Sequence, residues 1–178
     1  MLGKIKCQIE GVIPMIMDRD TGDRSPIKDP GSPENRQREF KQAQYVNSKG
    51  KLVILSEHLE KCFEVAGNQI AFKGKQKYGK LICGGLFVEP QEVLLKVGKD
   101  DPKPFSKMVR IPPRTGSRVL KTRAKIDKWS CEFMINVVND DINFDALKEV
   151  VTKAGIHFGL LAWRPKYGRF DIVKFEKM

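Results

Sequence analysis

Apolar and polar side chains alternate along the first segment of the chain. Every second residue from Ile5 to Ile9 is apolar, and the residues between them are lysine or glutamine. A period of two residues is typical of a strand with one buried face. Gly11 and Pro14 interrupt the pattern, which then continues to Met17. The sequence therefore predicts that the chain opens on a strand, which Gly11 and Pro14 either bend or end.

The pattern stops at Asp18 and does not return until about Gln42. This stretch has three prolines, two glycines, many charges of both signs and almost no large apolar residues. Such a composition cannot bury enough apolar surface to order a core element. We predict a long mobile insertion over residues 18–42.

Two later segments have the apolar spacing i, i+3, i+4, i+7 of an amphipathic helix. The first runs from Ser56, a candidate N-cap, to about Ala66, and the second runs from Asn143 to Gly155. Both contain the pattern Leu-x-x-apolar-apolar-x-x-Ala-Gly, which hints at an internal repeat. We predict one helix in each segment, each ended by its glycine.

The remaining apolar runs predict strands. Prolines at positions 102, 104, 112 and 113 break ladders and exclude helix, so the stretch from about 99 to 117 is predicted to be a loop. Two strands are expected between Arg118 and Val138, joined near Asp127. The other predicted strands cover residues 81–88, 92–98 and 168–176, and residues 52–55 are predicted to form either a short strand or the lead-in to the helix that follows.

The order of these elements predicts an α+β fold. Strand, helix, strands, helix and strand in this order form a split β-α-β fold, a ferredoxin-like or RNA-recognition-like antiparallel sheet with two helices. We expect a single domain over residues 1–178, with a long insertion after the first strand and an extra basic β-hairpin at about 99–128. The sheet face without helices is a common site for single-stranded nucleic acid.

Positive charge is concentrated in one part of the chain. The net charge is +11, and residues 103–128 hold nine lysines or arginines against one acid, Asp127. Polyanions gain from many such contacts through counterion release, whereas a small substrate needs few. The alternative is a charged surface that serves solubility. The candidate phosphate-binding residues are Arg110, Arg114, Arg118, Lys121, Arg123 and Lys125, with a second cluster at Lys73, Lys75, Lys77, Tyr78 and Lys80.

A second candidate lies near the C-terminus, in the closing segment over residues 155–170. It interleaves aromatic and basic side chains and has three glycines that allow a ligand to approach the backbone. Aromatic rings stack on bases while cations hold phosphates. The alternative is a core tryptophan flanked by ordinary surface charges. The candidate residues are His157, Trp163, Arg164, Lys166, Tyr167 and Arg169.

The residue types that commonly carry catalysis or bind cofactors do not form a recognisable motif in this sequence. The two histidines and four cysteines lack metal-ligand spacing, and no phosphate-loop motif is present. Asp18 and Asp20 could bind magnesium, although turn or cap roles suit such residues, and His157 could transfer protons. We expect no cofactor, no metal and no catalytic site. No apolar run predicts a signal peptide or membrane span, so we expect a cytoplasmic protein with no membrane partner.

Three motifs together resemble the RAMP superfamily, which includes the backbone subunits of CRISPR RNA-guided complexes, and also resemble short proteins of phages and other mobile elements. The motifs are Pro-Met-Ile-Met-Asp-Arg at 14–19, the helix-opening segment at 55–67 and Arg-Pro-Lys-Tyr-Gly-Arg-Phe at 164–170. The resemblance implies a modified RNA-recognition fold that assembles side by side along a single strand. It also implies binding by Arg19, Arg164, Lys166 and Arg169. The chain lacks the bulky insertions of larger backbone subunits, so a free-standing single-strand binder is equally compatible.

These observations predict a non-catalytic protein that grips the phosphate backbone of single-stranded RNA or DNA and self-associates along it. Charge alone does not separate RNA from DNA. A structural component of a ribosome or virion is the first alternative. A metal-dependent nuclease using Asp18, Asp20 or His157 is the second.

Overall fold

The computed structural model describes residues 3–23, 29, 31–111 and 114–178, except for the side chain of Ile111. Along the chain, its strands and helices form two crossover connections and one long hairpin. They are β1 (Gly3–Gly11), β2 (Met15–Met17), α1 (Pro33–Gln42), β3 (Val53–Leu55), α2 (Ser56–Gly67), α3 (Tyr78–Gly85), β4 (Leu86–Glu89), β5 (Glu92–Val97), β6 (Lys103–Ile111), β7 (Ser117–Ile126), β8 (Trp129–Val137), α4 (Phe144–Lys153), a π-helical turn (Ala154–Phe158) and β9 (Phe170–Lys177).

The main sheet has the strand order β3-β5-β8-β1-β9, and β4 pairs with the second half of β8. The central strands β1 and β8 run antiparallel, from Gly3 opposite Val137 to Glu10 opposite Ser130. The chain crosses from β1 to β5 through α2 and from β8 to β9 through α4, the arrangement of a split β-α-β fold. This confirms the predicted fold class, an α+β protein with an antiparallel sheet.

The helices cover one face of this sheet. The odd-numbered residues of β8 from Trp129 to Val137 are all buried, as their alternation predicted. The predicted apolar stripes of α2 and α4 are buried against them, including Leu59 and Leu147. Both predicted helices are confirmed, although Ser56 is the first helical residue and makes no side-chain cap.

The opposite face of the sheet carries paired charges. Lys6 lies 3.1 Å from Glu132, and Lys4 lies 3.7 Å from Glu89. Acids and bases alternate across the strands, so this face has no strong positive potential. The free face of the sheet is therefore not where the predicted cations gather.

The predicted loop at 99–117 is wrong at residues 103–111, which form β6. β6 is the edge strand of a second sheet with the order β2-β7-β6, and Pro104 lies opposite Ala124. An edge strand tolerates proline because one side of its backbone needs no hydrogen-bonding partner. Pro112 and Pro113, which the loop prediction included, lie outside the described residues.

The insertion predicted after the first strand is present, but its residues 33–42 form a helix, α1, that the sequence did not predict. Ser32 caps this helix by accepting a hydrogen bond from the Asn35 N–H at 3.2 Å, and Pro33 occupies the first turn. The helix is strongly polar, so hydrophobic periodicity could not reveal it. Residues 24–28 and 30, also part of that prediction, lie outside the described residues.

The predicted strand at 81–88 is helical in its first part, where α3 ends at Gly85. An added Cβ at Gly85 would lie 2.7 Å from the Asn139 Cβ, and the Gly85 carbonyl accepts from the N–H groups of Val138 and Asn139. This glycine therefore permits a close approach between α3 and the end of β8. Short apolar runs do not separate helix from strand by periodicity alone.

One bend connects the two sheets. β1 continues through Gly11 to β2, and β7 continues through a two-residue turn to β8, so the β1–β8 ladder resumes as the β2–β7 ladder. The Trp129 ring fills the bend and its Nε1–H donates to the Ile13 carbonyl at 3.1 Å. A Cβ at Gly11 would lie 2.1 Å from Trp129 Nε1. Only glycine leaves room for this ring.

We expect Gly11→Ala to lower the free energy of unfolding by about 1–3 kcal/mol, because the added methyl group must displace the Trp129 ring. The matched control is Gly84→Ala, where a Cβ would meet nothing within 4 Å inside α3. The control should be neutral or stabilising by up to about 1 kcal/mol. Urea denaturation followed by tryptophan fluorescence measures both, and equal stabilities of the two variants would contradict the packing argument.

Candidate nucleic-acid interface

Like charges face each other across the hairpin of β6 and β7. Lys103 pairs with Lys125, Lys107 pairs with Lys121, and Arg110 pairs with Arg118. Residues directly opposite on antiparallel strands share a face and lie about 5 Å apart, so like charges at these positions repel each other wherever no acid balances them. The hairpin thus concentrates the positive charge that the sequence placed at 103–128.

The cations divide between the two faces of the hairpin. Lys103, Lys107 and their partners lie on one face together with Phe105, which pairs with Arg123. Arg110 and Arg118 lie on the other face, because strand side chains alternate. The predicted phosphate-binding residues share one hairpin but not one flat surface.

Acids neutralise the base of the hairpin. Asp127 accepts from Lys125 at 2.7 Å and from Lys103 at 2.9 Å, and these two hydrogen bonds hold its pKa below the ordinary value. Arg123 Nε lies 2.7 Å from Asp18 Oδ1. The cations near the main sheet are therefore largely engaged in ion pairs.

The tip of the hairpin keeps its positive charge. Arg110, Arg114 and Arg118 are exposed, and none of them forms an ion pair with an acid in the described part of the chain. Arg114 lies in the turn with a φ of 74°, a conformation that favours glycine. The strongest candidate site for polyanion contacts is therefore this tip.

Buried Glu39 attaches α1 to the hairpin. Its two carboxylate oxygens accept from Lys121 Nζ at 2.7 Å and from the Thr122 N–H at 2.8 Å. β2 pairs only with residues 124–126 of β7, so the Thr122 N–H lies on an edge that β2 does not reach. Lys121, a predicted phosphate-binding residue, is thus engaged in a structural contact.

The closing segment packs against the bend through its backbone. The N–H groups of Ala162 and Gly168 donate to the carbonyls of Ile16 and Pro14 at 3.0 and 2.9 Å. The Arg169 carbonyl accepts from the Val12 N–H at 2.9 Å. Residues far apart in the sequence are thereby brought to the base of the basic hairpin.

An aromatic cluster forms where the closing segment meets the hairpin. The Phe105 ring contacts Trp163 edge to face at 5.6 Å and lies 6.1 Å from Tyr167. Lys107 Nζ lies 5.2 Å above the Trp163 ring. Trp163 and Tyr167 are half-buried. Sequence reasoning missed Phe105 because only strand register places it beside Trp163.

The cations of the closing segment differ in their availability. Arg164 and Lys166 are exposed, and His157 is exposed on the π-helical turn. Arg169 donates from Nε to the Pro165 carbonyl at 2.8 Å, so its guanidinium group helps to fold the loop. Arg19, the candidate at the end of β2, is exposed.

The second lysine cluster lies at the far end of the main sheet. Lys73 pairs with Asp141 at 3.2 Å, beyond Val137, whereas the hairpin joins β8 at Trp129. Eight residue steps along β8 separate these ends by about 26 Å. The three lysines at positions 75, 77 and 80 are exposed and belong to the same region as Lys73.

Tyr78 does not offer a stacking surface. Its ring is 6% exposed, packs against Phe72, and its hydroxyl accepts from Asn143 Nδ2 at 3.2 Å. The ring belongs to the hydrophobic core and is not exposed for stacking on a base.

Within the described ranges, no group of three or more histidine, cysteine or acidic side chains could hold a metal ion. Cys7, Cys62 and Cys131 are buried and Cys83 is exposed, all as free thiols. Among the helices described, none is long and apolar enough to cross a membrane.

No family model matches the sequence, and no curated protein matches it. Among solved structures, the fold is similar to a chain in the cryo-EM structure of the type III-B Cmr-beta bound to cognate target RNA, with a TM-score of 0.60 and 13% sequence identity. The match covers 98% of this chain and 61% of that chain, so the protein spans about three fifths of its neighbour's length. At this identity the likeness shows the fold alone.

We expect Glu39→Ala to lower the free energy of unfolding by about 1–3 kcal/mol, because the Thr122 N–H and the Lys121 ammonium both lose their acceptor. Gln37→Ala, an exposed change on the same helix, is the control and should stay within about 0.5 kcal/mol of the native protein. Chemical denaturation measures both. A native-like stability of the Glu39 variant would show that the contact does not fix α1 to the hairpin.

Proposed function

We propose that this chain binds single-stranded RNA along the basic hairpin, without cutting it. Arg110, Arg114 and Arg118 contact phosphates at the tip, and Trp163 and Tyr167 stack on bases at the base of the hairpin. The observation that carries the proposal is the Arg110–Arg118 pair across β6 and β7, which has no balancing acid among the described residues.

Electrostatics supports this proposal. Two cations directly opposite on neighbouring strands destabilise the hairpin, so Arg110 and Arg118 raise the free energy of the unbound protein. A phosphate backbone removes that repulsion and releases counterions into solution. A surface that served solubility alone would gain nothing from placing guanidinium groups face to face.

The backbone of the closing segment supports a role in base stacking. Leu161 and Trp163 have φ values of 62° and 55°, in the left-handed region that costs a residue other than glycine about 1–2 kcal/mol. Hydrogen bonds to the bend hold this conformation and present the Trp163 ring beside Phe105. Strain of this kind concentrates at binding and catalytic sites.

RNA is the better-supported polymer. The similar solved chain comes from Cmr-beta bound to cognate target RNA, and the RAMP resemblance implies side-by-side assembly along a strand. Membership of that superfamily and assembly along RNA are part of this proposal. Both rest on the resemblance and on the similar solved chain. The charge argument would apply equally to single-stranded DNA.

We expect the triple change Arg110→Ala, Arg114→Ala and Arg118→Ala to weaken binding of a single-stranded oligoribonucleotide at least about tenfold. Loss of three phosphate contacts should also reduce the slope of log K against log salt by about 2. The matched control is Lys75→Ala, Lys77→Ala and Lys80→Ala, which removes the same charge from exposed positions at the far end of the sheet. Fluorescence anisotropy at several salt concentrations measures both.

Equal losses in the two triple variants would mean that net charge, and not the hairpin, determines binding. A native slope in the arginine variant would overturn the proposed interface. The same titration with the deoxy oligonucleotide tests polymer choice, since equal affinity for both polymers would contradict the preference for RNA.

Arg114 allows stability and binding to be separated. Arg114→Gly removes an exposed guanidinium group at a φ that glycine adopts without strain. We expect the free energy of unfolding to stay level or rise by up to about 1 kcal/mol, while RNA affinity falls. Thermal denaturation and anisotropy measure the two effects, and unchanged RNA affinity would show that this arginine does not contact the strand.

A further inference from the structure

Two adjoining clefts open beside α2, and Arg164 lines both. The first, of about 260 Å³, has mostly polar residues in its lining, including Tyr45, His58 and Lys61, and we call it the polar cleft. The second, of about 320 Å³, lies between α2 and the closing segment and is walled by Val65, Phe158 and Pro165 with His157 at its edge. A polar cleft and an apolar cleft thus meet at one guanidinium group.

His58 lines the polar cleft. Its Nδ1 is closed off from solvent and has no hydrogen-bonding partner among the described residues, so this nitrogen is not open to a ligand. Tyr45 packs edge-on against the imidazole at 4.9 Å and fixes its position. Burial is the main cause of a lowered His58 pKa, with Arg164 adding to it and Glu57 opposing it, so the ring is neutral at pH 7.

The charges around this cleft leave Arg164 as its unbalanced cation. Asp18 is paired with Arg123 at 2.7 Å, and Lys61 is paired with Glu64 at 2.8 Å. Arg164 is exposed and forms no ion pair within the described residues. Its planar fork of donors is suited to a phosphate group, which it can bind through two parallel hydrogen bonds.

The lining of the apolar cleft includes the neutral thiol of Cys62. The Cys62 thiol donates to the Gly159 carbonyl at 3.3 Å, and burial raises its pKa to about 12. Phe158 offers an aromatic surface, and His157 supplies a polar group at the edge. Small-molecule sites commonly combine apolar walls with a few polar groups that fix orientation, and a nucleobase fits this description.

We propose that these two clefts form a site for one nucleoside monophosphate, with its phosphate on Arg164 beside His58 and its base against Phe158. The ligand is either a free nucleotide or one nucleotide of a bound strand. This inference goes beyond the strand interface of the hairpin and does not depend on it, since Arg110, Arg114 and Arg118 line neither cleft.

The test is a titration with adenosine 5′-monophosphate, adenosine and inorganic phosphate, followed by NMR of the two histidines and of Phe158. The monophosphate should shift all three residues at millimolar concentration and bind more tightly than either fragment. Arg164→Gln should weaken its binding by about tenfold, since a charge-assisted contact is lost. Phe158→Ala is the second variant and should weaken the binding of adenosine. Arg36→Gln, at an exposed position on α1 that lines neither cleft, should leave monophosphate binding unchanged.

The absence of shifts at His58 and Phe158, or equal monophosphate affinity in the native protein and Arg164→Gln, would overturn the site. Competition then separates the two sources of the nucleotide. Displacement of the monophosphate by an oligoribonucleotide assigns the site to a nucleotide of the strand, whereas simultaneous binding assigns it to a free nucleotide. The triple hairpin variant should still bind the monophosphate, so failure of one proposal is distinguishable from failure of the other.

Discussion

The bend between the two sheets is the constraint on which the rest of the structure depends. Trp129 fits over Gly11 and donates to the Ile13 carbonyl, and this contact turns one antiparallel ladder into two sheets. The backbone of the bend then binds the closing segment through Ile16 and Pro14. The basic hairpin and the aromatic segment meet because both are attached to these few residues.

Repulsion between the cations of the hairpin is a second constraint. It is balanced by acids near the main sheet but not at the tip. Near the main sheet, Asp127, Asp18 and Glu39 balance the cations, which lets β7 pair with β2 and lets the hairpin pack against α1. At the tip, Arg110 and Arg118 face each other without an acid in the described part of the chain. The result is a stable base and a tip whose repulsion a polyanion relieves.

The elements that periodicity predicted correctly are those whose exposure alternates regularly. β8 and the helices α2 and α4 bury one face each, so their apolar spacing reports their structure. Apolar periodicity did not predict α1, because this helix is polar and depends on one buried carboxylate, Glu39. β6 was not predicted because its prolines indicated a loop, whereas an edge strand tolerates proline.

The sequence by itself determined the order of the main elements, the concentration of charge at 103–128 and the mixture of aromatic and basic residues in the closing segment, because these are properties of local spacing and composition. Tertiary structure alone decided that Phe105 meets Trp163, that Tyr78 is buried, that the second lysine cluster lies at the far end of β8 and that two clefts share Arg164. Each of these depends on strand register or on packing between residues distant in the chain, which local patterns do not encode.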